Sequence, residues 1–423
     1  MLALLKSRRF FPFFAAQFLG AANDNFYKNA LVILIAYRLG GENAALLVTI
    51  AAGLFILPFF LFSASAGQLA DRLDKARLVR LVKALEIAVM TLGAVGFLWR
   101  QEGVLLGVLF LMGAQSSLFG PVKYAILPAI VADRDLIGAN ALTEGGTFLA
   151  ILLGTIAGGL LVLTPGGEVI VACTVVVLAI AGWIAALYVD DVAPADPNVR
   201  INPNIVNETA AIMRHARANT AIYPSMLAIS WFWLLGATFL AQFPNFAKGP
   251  LHADEQAVTL MLALFTVGVA VGSGLCAHVL KGRISLKIVP WSVFLMSVFI
   301  IDLYFATPKG VDAPGPIMGL GDLIAKPWVW RVMADLMMIA VTGGFYIVPL
   351  YATIQKRSDP RHRARNIAAL NVLNALFMVA SAAIAAAMLA QGIGVVGIFL
   401  AVGLANLGAG LWTVKMARAA PPA

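Results

Sequence analysis

The stretch QFLGAANDNFYKNAL, residues Gln17 to Leu31, lies inside the first hydrophobic segment and decides how the remainder is read. Phe11 to Ala36 is long enough to cross a bilayer, yet Asn23, Asp24, Asn25 and Lys28 stand near its centre, where a plain anchor would carry Leu or Val. A charge at that depth costs about 2.5 to 3.5 kcal/mol on insertion scales, so it must face protein, water or a ligand. On a helix Gln17, Ala21, Asp24 and Lys28 follow i, i+4, i+7, i+11 spacing and share one stripe. Two readings are open: Asp24 and Lys28, four apart, neutralise each other and tie the first helix to its neighbours, or Asp24 holds a substrate cation or a proton.

The chain has 423 residues, 61% of them hydrophobic and 12% charged. A soluble domain carries about twice that share of charge, which places the chain among polytopic membrane proteins. Apolar runs near 11–38, 45–69, 78–99, 103–128, 140–163, 167–189, 222–247, 256–280, 286–306, 328–354, 366–389 and 392–414 are each long enough to span. The expected fold is therefore an all-α membrane protein of twelve transmembrane helices in two six-helix halves, 1–189 and 222–423, joined by a linker at 190–221.

The placement of the 30 Lys and Arg residues orients it. Six fall in the odd connections (Arg38, Arg100, Lys248, Lys309, Lys326, Arg331), Lys28 and Lys123 are embedded, and the other 22 lie in the termini and even connections. By the positive-inside rule both termini are cytoplasmic, and the net charge of +9 reports topology and contact with anionic membrane lipids, with no nucleic-acid partner expected. Within the linker, Ile205, Thr209, Ile212, Met213 and Ala216 recur at helical spacing opposite Asn207, Glu208, Arg214 and Arg217, which suits a cytoplasmic amphipathic helix.

Several chemistries are excluded. Cys173 and Cys276 lie inside spans and His215, His252, His278 and His362 are scattered singly, so no disulfide, metal centre or cofactor is expected. No phosphate-binding Gly-x4-Gly-Lys-Ser/Thr loop, His-Glu-x-x-His or Gly-x-Ser-x-Gly motif occurs, and no His is followed five residues on by Asp, so no enzyme is expected. The first span lacks a small-residue cleavage site and is too long for a signal-peptide core, so it is expected to stay.

Further polar residues interrupt the spans. Gly120 and Pro121 break the fourth, followed by Lys123, which either snorkels to the surface or offers a positive charge, and by the Tyr124 hydroxyl. Glu144 is either a helix-start carboxylate or a pathway residue, while Gly154, Gly158 and Gly159 form a small-residue face for close packing. The seventh span is dense in aromatic rings, among them Trp231, Phe232 and Trp233, with Gln242 near its outer end; these rings either pack the core or meet an acyl chain. Arg331 and Asp335 are spaced as an internal pair, Asn371 and Asn374 are candidate amide contacts, and the Pro/Gly-rich loop Lys309–Lys326 reads as a flexible periplasmic lid or spacer.

After the second span, GQLADRLDKARLVR carries Gly67, Asp71, Arg72 and Arg77 and resembles the loop signature of the major facilitator superfamily, with the second Gly replaced near Asp74. That resemblance implies a gate built on Gly67, Asp71 and Arg72, in which the carboxylate braces helix ends and holds the outward-open state. Together with GPVKYAILP, ANALTEGGTFLAILLGTIAGG and GGFYIVPLYATIQ, the opening stretch resembles the lysophospholipid transporter branch of that superfamily. The resemblance implies passage of lysophospholipid from the outer to the inner leaflet of the bacterial inner membrane, where an acyltransferase restores the second chain. Asp24 and Lys123 match the family's polar positions; Leu240 and Gln242 stand where some members place an Arg. The aromatic SWFWLLGATFLAQFP resembles forms fused to an acyltransferase, and with the sequence ending at RAAPPA the expectation is a separate acyltransferase chain or a missing C-terminal domain. The substrate-contact set expected from all of this is Asp24, Asn25, Lys28, Lys123, Tyr124, Glu144, Trp233, Gln242 and Asn371. A proton-coupled exporter or symporter of a small amphiphile, and a non-transporting scaffold for a lipid enzyme, are the alternatives.

Overall fold

The computed structural model describes residues 1–36, 44–308 and 317–419. Among them fifteen α-helices follow in order: α1 (Phe11–Leu34), α2 (Ala44–Arg72), α3 (Lys75–Trp99), α4 (Glu102–Ala125), α5 (Leu127–Ile130), α6 (Leu136–Val162), α7 (Gly167–Leu187), α8 (Ile205–Ala218), α9 (Tyr223–Lys248), α10 (Glu255–Leu280), α11 (Val289–Ala306), α12 (Leu320–Ile324), α13 (Pro327–Arg357), α14 (Arg363–Ala390) and α15 (Val395–Ala419). Local chemistry sets their ends. Pro12 opens α1 where a missing N–H costs nothing. Asp74 caps α3 by accepting the Arg77 N–H at 2.8 Å, and Asn204 caps α8 through the Asn207 N–H at 3.0 Å. Arg100, φ 54°, closes α3 in the left-handed region.

Eleven helices among the described residues are long and apolar enough to cross a membrane. Twelve are expected from the sequence, and α1 is the one outside that group: its 24 residues would reach across, but the amides and charges from Gln17 to Asn29 dilute its hydropathy. The exterior suits lipid, since Leu160, Val177, Trp291 and Leu411 are exposed while Gln17, Asn23, Lys83 and Glu86 are buried.

The chain divides into two compact units whose borders differ from 1–189, 190–221 and 222–423. The first comprises Met1–Ala139, Leu149–Tyr223 and Gln355–Ala375. In it α3 packs on α4 and α7, and α2 on α4. Tyr27 anchors α1 there: its ring meets Phe97 edge-on at 5.3 Å and its hydroxyl donates to the Leu105 carbonyl at 2.9 Å. The linker helix α8 lies against α2 with Ile212 and Ala216 buried and Arg214 and Arg217 outward.

The second unit comprises Asn140–Phe148, Pro224–Ile354 and Leu376–Ala423. Phe239 stacks on Phe399 at 4.4 Å, with Phe243 and Phe246 also fully buried, so these α9 rings are core. Trp231 donates its indole N–H to Asn406 Oδ1 at 2.8 Å, and the Asn406 amide donates to Ser297 Oγ at 3.0 Å, which joins α9, α15 and α11. Arg331 turns to Asp302 of α11, with its Nε 2.9 Å from the carboxylate, rather than pairing along its own helix with Asp335; the planar guanidinium gains a two-point contact across helices. Part of the spacer Lys309–Lys326 is ordered, because Met318 forms a parallel bridge with Ala253 and α12 follows; residues 309–316 of it lie outside the described residues, as does Arg38.

Candidate functional site

The polar stripe of α1 divides its bonds between two neighbours. Ser116 of α4 donates its hydroxyl to Asp24 Oδ2 at 2.5 Å, a length expected for a hydroxyl on a carboxylate. Asp24 Oδ1 is shielded and takes no hydrogen bond from the described residues, so half of the carboxylate remains available as an acceptor. Lys28 makes its hydrogen bond to a neighbour other than Asp24. Its ammonium donates to Asn25 Oδ1 at 3.0 Å and lies 5.3 Å from the centre of the Phe55 ring on α2. Asn25 is spent locally, since its amide donates to the Ala21 carbonyl at 2.8 Å. Asp24, Asn25 and Lys28 all keep partial solvent contact, while Asn23 beside them has none.

Behind the stripe is an ion pair the sequence reading missed. Lys83, counted above with the basic loop, is buried on α3, where its ammonium meets Glu86 Oε2 at 2.6 Å. The same oxygen accepts the Gln115 amide at 3.2 Å, and Glu86 Oε1 accepts the Asn23 amide at 3.1 Å. The Asn23 amide also donates to the Val175 carbonyl of α7 at 3.0 Å, and the Lys83 ammonium lies 5.1 Å from the Phe119 ring centre. Three donors on three helices thus satisfy one buried carboxylate, which is what makes a charge tolerable away from water. The signal was present in the sequence as two charges three apart inside the third apolar run.

Lys123 lies seven residues beyond Ser116 on α4, so both share one face about 10 Å apart along the axis. Its ammonium is 5.1 Å from the ring centre of Tyr124, which is itself buried. The Asn371 amide of α14 rests against Gly120, and its Nδ2 is buried without a partner among the described residues. In the second unit Trp233 stacks on Phe148 at 6.2 Å, its buried indole N–H unbonded within the described residues. Gln242 is buried and accepts the Asn245 amide at 3.0 Å. Glu144 is buried more than two turns after Leu136 opens α6, and so is not a helix-start carboxylate.

Of the residues expected to form a gate, Asp71 is fully buried and accepts the Ala364 N–H at 3.1 Å, the Arg365 N–H at 3.3 Å and Arg365 Nε–H at 3.0 Å. Gly67 permits this approach: a Cβ on it would run into Ala368 and the Arg365 backbone. Arg72 is exposed. Arg365, which sequence spacing did not connect to Asp71, also reaches Asp196 of the linker at 3.5 Å. Beside this latch His215 of α8 stacks on His362 at 4.7 Å. Burial, with the adjacent His362 and Arg365, holds the His215 imidazole below its ordinary value, against an opposing pull from Asp359. The Arg361 N–H on the Asp359 carboxylate holds that group below the usual carboxylate range.

The family model of the Major Facilitator Superfamily matches residues 13–308. The chain is 28% identical over 376 residues to the lysophospholipid transporter LplT of Serratia proteamaculans, covering 87% of this chain and 85% of that protein. It is 27% identical over 363 residues to LplT of Escherichia coli strain K12, covering 85% of this chain and 83% of that protein. Among solved structures, the human organic anion transporter MFSD10 superposes with a TM-score of 0.71 at 13% identity over 95% of this chain and 99% of that one. The E. coli fucose:proton symporter FucP, in its outward conformation, gives 0.72 at 11% over 96% and 98%. The charged stripe, the apolar exterior and the latch thus belong to a multi-pass membrane transporter rather than an enzyme, and the chain is a member of the major facilitator superfamily.

Proposed function

We propose that the protein carries lysophospholipids, such as lysophosphatidylethanolamine, from the outer to the inner leaflet of the bacterial inner membrane by alternating access. In this reading α1 is the twelfth span, both termini are cytoplasmic, and a phospholipid acyltransferase re-acylates the product. The observation that carries it is Asp24: a mid-helix carboxylate fixed through one oxygen by Ser116 and left with a second acceptor, on a helix whose partner α4 offers Lys123 on the same face. A lysophosphatidylethanolamine head group presents one ammonium and one phosphate, the complement of that pair in a low-dielectric site. The lysophospholipid transporters matched over most of their length support the same substrate class.

The latch supports alternation. With the Asp71 carboxylate holding Ala364 and Arg365, the start of α14 is fastened to the end of α2; release would let that end open while the head group stays with α1 and α4. The excess of Lys and Arg in the termini and even connections supports cytoplasmic termini.

The test is reconstitution in liposomes carrying labelled lysophosphatidylethanolamine in one leaflet. Protein-dependent loss of label from that leaflet, absent in Asp24→Asn at unchanged melting temperature, is the expected result. Wild-type rates in the variant would remove Asp24 from the pathway. Collapse of transfer under a protonophore would make the carrier proton-coupled, and no transfer by folded wild-type protein would move the function to a carrier of another solute.

A further inference from the structure

A cavity of about 600 Å³ opens beside the start of α1, the start of α3 and the end of α7, away from the Asp24 stripe. Its walls are of two kinds. Phe11, Leu187 and Tyr188 are exposed there and, with Pro12 and Ala15, make an apolar side continuous with the helix surface. Lys6, Arg8 and Arg80 supply cations, and Asp190 and Asp191 carboxylates.

The carboxylates are already neutralised. Arg80 donates to Asp191 at 2.8 Å and to the Val189 carbonyl at 2.7 Å, and Arg9 lies 3.6 Å from Asp190. Lys6 and Arg8 are exposed and have no acidic partner among the described residues. Three cations line the cavity and Arg9 reaches Asp190 from outside the lining, so with both carboxylates paired the excess positive charge sits on Lys6 and Arg8. A rim of exposed aromatic rings at a helix end marks the depth of membrane head groups, and basic pockets between spans at that depth suit anionic lipid.

We propose that this cavity binds an anionic glycerophospholipid as a resident lipid, distinct from the transported substrate. Its phosphate pairs with Lys6 and Arg8, and one acyl chain runs down the side formed by Phe11, Ala15, Leu187 and Tyr188. The volume falls within the range of ligand pockets. A zwitterionic head group would add an ammonium to a mouth already rich in cations, so charge complementarity selects an anionic one.

The experiment is native mass spectrometry of the full chain titrated with phosphatidylglycerol or phosphatidylcholine. Wild-type protein is expected to retain one phosphatidylglycerol and to prefer it over phosphatidylcholine. The double variant Lys6→Ala/Arg8→Ala is expected to bind it about tenfold to thirtyfold more weakly at unchanged melting temperature. Arg283→Ala/Lys287→Ala, which removes the same charge from another exposed segment, is expected to bind like wild type. Equal retention by the Lys6/Arg8 variant, equal loss in the control variant, no preference over phosphatidylcholine, or displacement of the lipid by millimolar inorganic phosphate would each overturn the proposal. None of these outcomes depends on lysophospholipid transfer, so the site stands or falls apart from the transport reading.

Discussion

The Lys83 ammonium sits 2.6 Å from Glu86 Oε2 with both side chains about one per cent exposed, and Asn23, the residue next to Asp24, donates its amide to that same carboxylate. The pair is therefore a support for the front stripe: Glu86 fixes Asn23, Asn23 fixes the rotation of α1, and that rotation aims Asp24 at Ser116.

Removing one member of the pair strands the other charge. Glu86→Ala should destabilise the protein by about 3 to 5 kcal/mol, because Lys83 is left buried and uncompensated. Replacing both, as Lys83→Met/Glu86→Leu, should restore most of that loss while transfer stays impaired, since Asn23 loses its tie to α3 and keeps only the Val175 carbonyl of α7. Thermal unfolding in detergent, read beside liposome transfer, checks both halves; a double variant as unstable as Glu86→Ala would refute the account.

The latch makes its own prediction. In Arg365→Ala the fully buried Asp71 keeps two backbone N–H donors but loses its one cation within 4 Å among the described residues. Amide exchange across residues 361–368 should accelerate at least about tenfold, which corresponds to ~1.4 kcal/mol. Arg365→Lys should recover only part, because an ammonium cannot hold Asp71 and the Arg361 carbonyl from one planar group. Unchanged exchange in Arg365→Ala would show that the backbone bonds alone fasten α14.

What the sequence made legible and what it hid divide along one physical line. Asp24, the amphipathic face of α8 and the small-residue face of α6 are properties of a single helix, and spacing exposes them. The partners are not. Lys28 bonds Asn25, three residues back on its own helix, and lies over the Phe55 ring of α2, while Arg331 reaches across to Asp302 of α11 rather than to Asp335, because i, i+3 neighbours and reach across helices both compete with the i, i+4 neighbour. Arg365 lies far along the chain from Asp71, and Lys83 looked like loop charge because it stands beside Arg77 and Arg80, which do face outward or reach the linker. Likewise Phe239, Phe243 and Trp233 look alike in sequence, and only packing separates core rings from the one with an unbonded indole N–H.

Docking of α8 should respond to pH. The His215 imidazole is held below its ordinary 6.5, so the stacked contact favours the neutral form: its contribution is fully present above 6.5 and is lost as pH falls through the lowered value. His362 and Arg365 face the ring as cations or potential cations, and Asp359 opposes them. Amide exchange over Ile205–Ala218 should therefore be slow at about pH 7.5 and faster at about pH 5.5 after correction for intrinsic rates. In His362→Ala the difference between the two conditions should shrink, because one facing cation is removed while burial and Arg365 remain; an unchanged pH response would assign it to another group.

The last prediction concerns how closely α6 must approach the helix that bears the site. Gly154 and Gly158 lie one turn apart on α6, and a Cβ on either would collide with the α1 backbone, at the Ala22 carbonyl in the first case and the Phe26 carbonyl in the second. Carbonyl oxygens of a helix interior cannot rotate aside as a side chain can, so the added methyl must push the helices apart. Overpacking of that kind costs about 1 to 3 kcal/mol. Ala22 and Phe26 flank Asp24 by two residues on either side, so the displacement passes directly to the carboxylate and lengthens its contact with Ser116. Gly154→Ala should thus reduce transfer more than Ser116→Ala, which removes one hydrogen bond and leaves α1 in place. By contrast Gly107→Ala on α4, where the added methyl meets open space, should leave transfer and melting temperature unchanged. Measuring the three variants side by side separates the position of α1 from the bond made to it; equal transfer in Gly154→Ala and Gly107→Ala would mean that the site tolerates a shifted α1.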